Sequence, residues 1–160
     1  MPREATGRRR RQRVDYATLA DLRYQIRQFL RLREVAARGA GVAPQQYLLL
    51  LQVRGLRGRG PVTIGALAER LQITHHGVVQ LVNRLTRRGM VERRRHERDR
   101  RGVVVTLCPA GEALLRRLAI YSLAELETEG PALVASLRRL IMNSTRDRRR
   151  LRTPRRRRTR

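Results

Sequence analysis

Two adjacent imidazoles, His75 and His76, followed by Gln80 and then by Arg84, Arg87 and Arg88, form a dense group of side chains suited to a polyanion. Glutamine bonds adenine through two atoms at once, while a histidine donates to a guanine or thymine acceptor or to phosphate. Arginines a turn or two further along reach phosphate oxygens, which sets register without reading bases. A second group follows in Arg93-Arg94-Arg95-His96-Glu97-Arg98-Asp99-Arg100-Arg101, six arginines and a histidine against two acids. Such a loop can lay a guanidinium in the minor groove, where narrow A·T tracts concentrate negative potential, with Asp99 orienting a neighbouring arginine. Gly77, between the two groups of contacts on the first, leaves room for close backbone approach to a duplex.

Other chemistries find little material. His75, His76 and His96 have no cysteine or carboxylate pair at ligand spacing, so no metal is expected. The 13 acids are scattered, and no Ser-His-Asp set, phosphate loop or two-carboxylate arrangement stands out. No catalytic residue or cofactor is therefore assigned, and an enzyme is not expected. The single cysteine, Cys108, stands where a helix starts and a thiol pKa can fall, yet a lone cysteine is ordinarily a packing residue.

Charge over the whole chain points the same way. The 160 residues carry 38 basic side chains, all arginine, against 13 acids, for a net charge of +25. Of this, +5 lies in residues 1–13, +9 in residues 146–160 and +11 in the body between, so the body itself should meet phosphate. Absence of lysine indicates a bias in amino-acid choice, but each phosphate neutralised releases counterions whatever the origin of the arginine. An aromatic fraction of 3% argues against single-strand binding by base stacking and favours duplex phosphate. One cysteine excludes an internal disulfide and fits a reducing compartment. The longest apolar run, Tyr47 to Leu51, is far too short for a membrane helix, and no export signal is visible. A soluble, cytoplasmic, nucleoid-associated protein is expected.

Positioning these groups requires particular elements. Leu19, Leu22, Ile26, Phe29 and Leu30 recur at spacings of three and four, predicting a helix over 15–38 that Gly39 and Gly41 stop. Pro44 suits the first turn of a short buried helix ended by Gly55. Thr63 caps a helix with Ile64, Leu67, Ala68 and Leu71 inward; after the link Gln72-Ile73, Thr74 caps another with Val78, Leu81, Val82 and Leu85 inward and Gly89 at its end. Two short helices with a tight link are a helix-turn-helix. Met90 to Arg94 and Gly102 to Leu107 read as the strands of a hairpin wing. Pro109 opens a helix with apolar residues on more than one face, Gly130-Pro131 breaks the chain, and Leu133, Leu137, Leu140 and Ile141 define a last amphipathic helix. The Arg-rich segments 1–13 and 143–160 have too few apolar residues to offset the entropy of ordering, and are expected to be disordered arms.

The run Ile64 to Leu85, followed by Arg87-Arg88-Gly89-Met90-Val91, by Asp99-Arg100-Arg101 and by Val105-Thr106-Leu107-Cys108-Pro109-Ala110-Gly111, resembles the multiple-antibiotic-resistance regulator (MarR) family over residues 15–142. The resemblance implies a mainly α fold with a small β-hairpin wing: a winged helix-turn-helix subunit over 14–142, with dimerisation helices at 15–38 and 109–142 and a DNA-binding part at 44–107. It further implies an obligate homodimer that represses transcription at a palindromic operator and is relieved by a small phenolic or other aromatic effector, or by oxidation. By position, Thr74 to Arg88 matches the recognition helix, and Asp99 and Arg101 match the wing pair. The expected duplex-DNA contacts are Thr74, His75, His76, Gln80, Arg84, Arg87 and Arg88 on the helix, and Arg94, Arg95, Arg98, Asp99 and Arg101 on the wing. Cys108 replaces the family's usual Thr or Ser cap, and the first helix holds no cysteine, so peroxide sensing is not expected. No effector-binding residue is assigned; Tyr16, Tyr24, Tyr47 and Tyr121 either line an effector pocket or fill the core. An alternative reading is a sequence-neutral architectural or RNA-associated protein driven by its Arg-rich ends.

Overall fold

A computed structural model of the chain describes residues 15–95 and 103–152, with side chains as far as residue 143. Helices α1 (Tyr16–Gly39), α2 (Pro44–Leu56), α3 (Ile64–Leu71) and α4 (His75–Arg87) precede strands β1 (Val91–Arg95) and β2 (Val103–Leu107), and α5 (Pro109–Arg152) ends the described chain. The chain divides into two compact units, one of residues 29–128 and one drawn from residues 1–28 and 129–160.

Local sequence explains the boundaries in the first unit. Ala43 has no side-chain oxygen to cap α2, and Gln46 supplies one instead, its Oε1 accepting the Ala43 N–H at 3.1 Å. Thr63 and Thr74 each accept a backbone N–H three residues on, from Ala66 and Gly77, both at 3.1 Å. Between α3 and α4 the chain turns through Gln72 in the left-handed region, at φ 53°, and α4 is followed by Gly89 at φ 65°, where glycine avoids the Cβ clash. β1 and β2 pair antiparallel, from Val91 opposite Leu107 to Arg95 opposite Val103. Val105 N–H also donates to the Val62 carbonyl at 2.9 Å, so the segment before α3 lies along β2 and seats the hairpin on the helices. Leu49, Leu50, Leu67, Val78, Val82, Leu85, Val91 and Val105 are fully buried at the centre. Gly111 is obligatory here: a Cβ on it would overlap the Met90 carbonyl, where the first turn of α5 crosses the α4–β1 junction.

In the second unit the first turn of α1 is held by Asp15, whose two carboxylate oxygens accept from Thr18 N–H at 3.0 Å and Thr18 Oγ1 at 2.8 Å. These bonds, with a donated bond from Asn143 Nδ2 at 3.0 Å and the charge of Arg139, hold the Asp15 carboxyl below the ordinary aspartate pKa. Thr18 and Ser136 are buried in this unit.

The structure corrects the expected segmentation at the C-terminal side. Gly130-Pro131 does not break the chain: α5 runs through it as one helix. A proline removes one backbone donor from a helix, and the long run of helix-forming residues on either side outweighs that loss. The division between the two units falls between Thr128 and Glu129, one residue before this pair. Helix also continues over residues 143–152, inside the segment expected to be an arm. Gly55 lies within α2, which ends one residue later than expected. Residues 1–13 and 153–160, the rest of the expected arms, lie outside the described residues, as does residue 14. Among the described residues no helix is long and apolar enough to cross a membrane.

Candidate nucleic-acid interface

Helix α4 presents opposite faces of opposite character. Val78, Leu81, Val82 and Leu85 are buried. On the far side His76, Gln80, Asn83 and Arg87 recur at spacings of four, three and four, which lines them up along the helix axis. His75, His76, Gln80, Arg84 and Arg87 are exposed, and His76 and Gln80 approach to 3.4 Å through their Nε2 atoms. The first turn of α4 carries no acid, so its free N–H groups and the positive end of the helix dipole face outward without a competing charge. Thr74 stands at this end, but its hydroxyl already accepts the Gly77 N–H.

The hairpin root borders the same face. Arg93 Nη2 donates to the Val79 carbonyl at 3.3 Å, and Gln80, Asn83, Thr86, Arg87 and Arg93 line one concavity. Alternation along β1 puts Arg95, which is exposed, on the side of Arg93 and puts Glu92 and Arg94 on the other. Arg94 is paired there with Glu92 at 2.6 Å, and Glu92 also accepts from Thr106 Oγ1 at 3.0 Å. Of the expected wing contacts, then, Arg95 shares the side of the α4 stripe and Arg94 faces away from it. Arg98, Asp99 and Arg101, with His96, lie outside the described residues.

Two residues of this surface, Asn83 and Thr86, were absent from the sequence expectation, and Arg93 was named in the basic run but not among the expected contacts. Asn83 was recoverable, since it stands three residues after Gln80 and four before Arg87. Arg93 carried no local signal separating it from its neighbours, because the bond to Val79 spans the α4–β1 junction.

Two of the residues singled out in the sequence face neighbours within the molecule. Arg88 is exposed at the end of α4, but its guanidinium turns back to donate to the Gly41 carbonyl at 2.8 Å and to Gln46 Oε1 at 3.3 Å. Gly77 sits beside the N-terminal cap of α4. A Cβ there would stand 3.3 Å from Thr74 Oγ1 and 3.6 Å from Ile73 Cδ1, against the cap of α4 itself. Cys108 is half-buried, its N–H on the Met90 carbonyl at 3.0 Å. Among the described residues no cluster of three or more His, Cys, Asp or Glu could hold a metal ion.

A second, apolar cavity of about 490 Å3 lies away from this surface, within residues 29–128, walled by Phe29, Leu48, Leu51 and Leu123 among others. Its polar lining comprises Glu34, Gln45, Ser122, Arg33, stacked 3.3 Å over the Phe29 ring and donating to the Ser122 carbonyl at 3.0 Å, and Tyr47, whose hydroxyl is 3.4 Å from Ser122 Oγ. Of the four tyrosines Tyr47 lines it; Tyr16, Tyr24 and Tyr121 are exposed on the helices.

The geometry agrees with known proteins. Residues 40–102 match the model of the MarR family. Among solved structures, apo MarR from E. coli is similar at 21% identity over 84% of this chain and 98% of that one, with a TM-score of 0.63. MepR, a transcription regulator of the Staphylococcus aureus multidrug efflux pump MepA, is similar at 17% identity over 81% and 98%, with a TM-score of 0.66. A MepR mutant from S. aureus bound to an oligodeoxyribonucleotide is similar at 20% identity over 81% and 98%, with a TM-score of 0.57. At these identities the likeness carries the fold. No curated protein matches the chain in sequence.

Proposed function

We propose that the chain, whose residues 40–102 match the model of the MarR family, is a winged helix-turn-helix regulator of that kind and binds double-stranded DNA sequence-specifically to control transcription. The observation that carries this is the polar stripe His76–Gln80–Asn83–Arg87, set opposite the buried face of α4 and bordered by the root of the hairpin. A similar fold, the MepR mutant, holds an oligodeoxyribonucleotide. Helix α4 enters the major groove, where His75, His76, Gln80 and Asn83 reach base edges, while Arg84 and Arg87 bind flanking phosphates. The hairpin, with Arg95 at the end of β1, lies along the adjacent minor groove.

The finer reading is a homodimeric repressor on a palindromic operator, acting on the nucleoid in the cytoplasm. Two subunits related by a twofold place their α4 helices in successive major grooves, about 34 Å apart. Exposed apolar residues on both helices of the second unit, among them Leu19, Ile26, Val134 and Leu137, support a second copy as their cover. The apolar cavity around Tyr47 supports relief by a small aromatic effector, phenolic or carboxylic, whose polar group meets Arg33. Selection of fragments from a random duplex pool by the full chain tests the reading. The expected product is an inverted repeat with half-sites one helical turn apart, bound as a dimer. Enrichment of no repeat at any salt concentration contradicts it and favours a sequence-neutral basic protein.

A further inference from the structure

Arg88 ends the helix that carries the polar stripe, and both of its bonded nitrogens are spent inside the molecule. Nη2 donates to the Gly41 carbonyl at 2.8 Å and Nη1 to Gln46 Oε1 at 3.3 Å. One acceptor, Gly41, lies in the turn between α1 and α2 and the other, Gln46, in the first turn of α2; the turn is tightly built, with Gly41 left-handed at φ 77° and its N–H on the Arg38 carbonyl at 2.9 Å. Gln46 is buried, and the same Oε1 that meets Arg88 accepts the Ala43 N–H at 3.1 Å. A planar guanidinium at this point joins two acceptors that an ammonium, a single point charge, could not hold in the same geometry. It also places a cation at the negative end of the α4 dipole.

We infer that Arg88 is a positioning residue, which clamps the C-terminal end of α4 to the α1–α2 turn and so sets the attitude of the stripe His76–Arg87, and is not itself a phosphate contact. The inference rests on the reading of α4 as the DNA-contacting helix. It assigns neighbouring arginines different work: Arg87, on the exposed stripe with no such bonds among those described, meets phosphate, and Arg88 holds the helix that presents it.

Salt dependence separates the two roles. A phosphate contact contributes about 0.9 to the slope of log affinity against log salt, whereas a clamp contributes affinity without slope. The full chain and its Arg87→Ala, Arg88→Ala, Arg88→Lys and Gln46→Ala variants are titrated on a fluorescent duplex carrying the repeat that the wild-type chain enriches. The same titration on a duplex of arbitrary sequence serves if no repeat is enriched, so that failure of the regulator reading and failure of the clamp are seen separately. Arg88→Ala is expected to bind about tenfold more weakly with the slope unchanged, as loss of charge-assisted bonds predicts. Arg88→Lys should resemble it despite its charge, and adding Gln46→Ala to Arg88→Ala should cost less than the sum of the two single changes. Arg87→Ala should reduce the slope. Melting temperatures are recorded beside each titration, and a loss that merely tracks the unfolded fraction would overturn the assignment. So would an Arg88→Ala slope reduced by about 0.9 and restored in Arg88→Lys, which is the signature of a phosphate contact.

Discussion

Eighteen hydrophobic residues, from Ala37 to Leu118, are buried among the described residues, and all of them lie in the unit of residues 29–128. The other unit buries Thr18, Gly130 and Ser136 and leaves Tyr16, Leu19, Tyr24, Ile26, Val134, Leu137 and Met142 exposed. The winged unit thus buries a core of its own, although Leu30, Val35, Ile120 and Leu123 within it stay exposed, while the ends of α1 and α5 carry the helical apolar pattern of a core and bury no large hydrophobic residue among those described. Hydrophobic periodicity reports that a face must be covered; it does not report by what.

Cutting a side chain in each unit should give the widest separation. Leu85→Ala in the winged unit is expected to cost about 2–5 kcal/mol, through lost burial and the cavity left behind, in urea unfolding of the full chain. Leu137→Arg in the other unit should leave the winged unit's unfolding intact and shift sedimentation from dimer to monomer. A dimer unaffected by Leu137→Arg would mean that this face is covered in some other way.

Glycines sharpen the contrast within the winged unit. Gly111→Ala forces a Cβ against the Met90 backbone and is expected to cost about 1–3 kcal/mol. Gly65→Ala meets nothing nearer than Thr63 Oγ1 at 3.9 Å and should change stability by less than about 1 kcal/mol. Equal effects of the two, measured by the same unfolding, would show that the α5 crossing yields more readily than its geometry indicates.

The smallest effect belongs to Asp15. Because its folded-state pKa is lowered, mainly by the backbone and side-chain bonds from Thr18, the carboxylate favours the folded chain above the ordinary aspartate pKa. That contribution fades as pH falls through the lowered value. Asp15→Asn should therefore narrow the difference in melting temperature between neutral and acid pH, and an unchanged difference would remove Asp15 from the acid response.

Elements whose signals are local were readable from the residues: Thr63 and Thr74 as caps, the tight link at Gln72-Ile73, Gly89 as terminator and the valine-rich β2 opposite a basic β1. Three features were not, for different reasons. Pro131 in α5 is a local stop signal overruled by the helix around it. Arg88 belongs to an arginine pair that spacing cannot divide, and its carbonyl partner lies 47 residues earlier. Gln80 and Arg87 could be placed from periodicity, but their neighbour Arg93 joins them only because the hairpin folds back on α4. Side-chain type announces that phosphate can be held; which arginines are free to hold it is settled by long-range bonds.

Base reading by the α4 stripe is tested most directly by repeating the fragment selection with Gln80→Ala. Loss of one bidentate base contact should remove about 1–3 kcal/mol of discrimination. The account predicts that preference relaxes at one symmetry-related pair of positions in the repeat while the remaining positions and the half-site spacing persist. An enriched sequence identical to that of the unchanged chain at every position would contradict it.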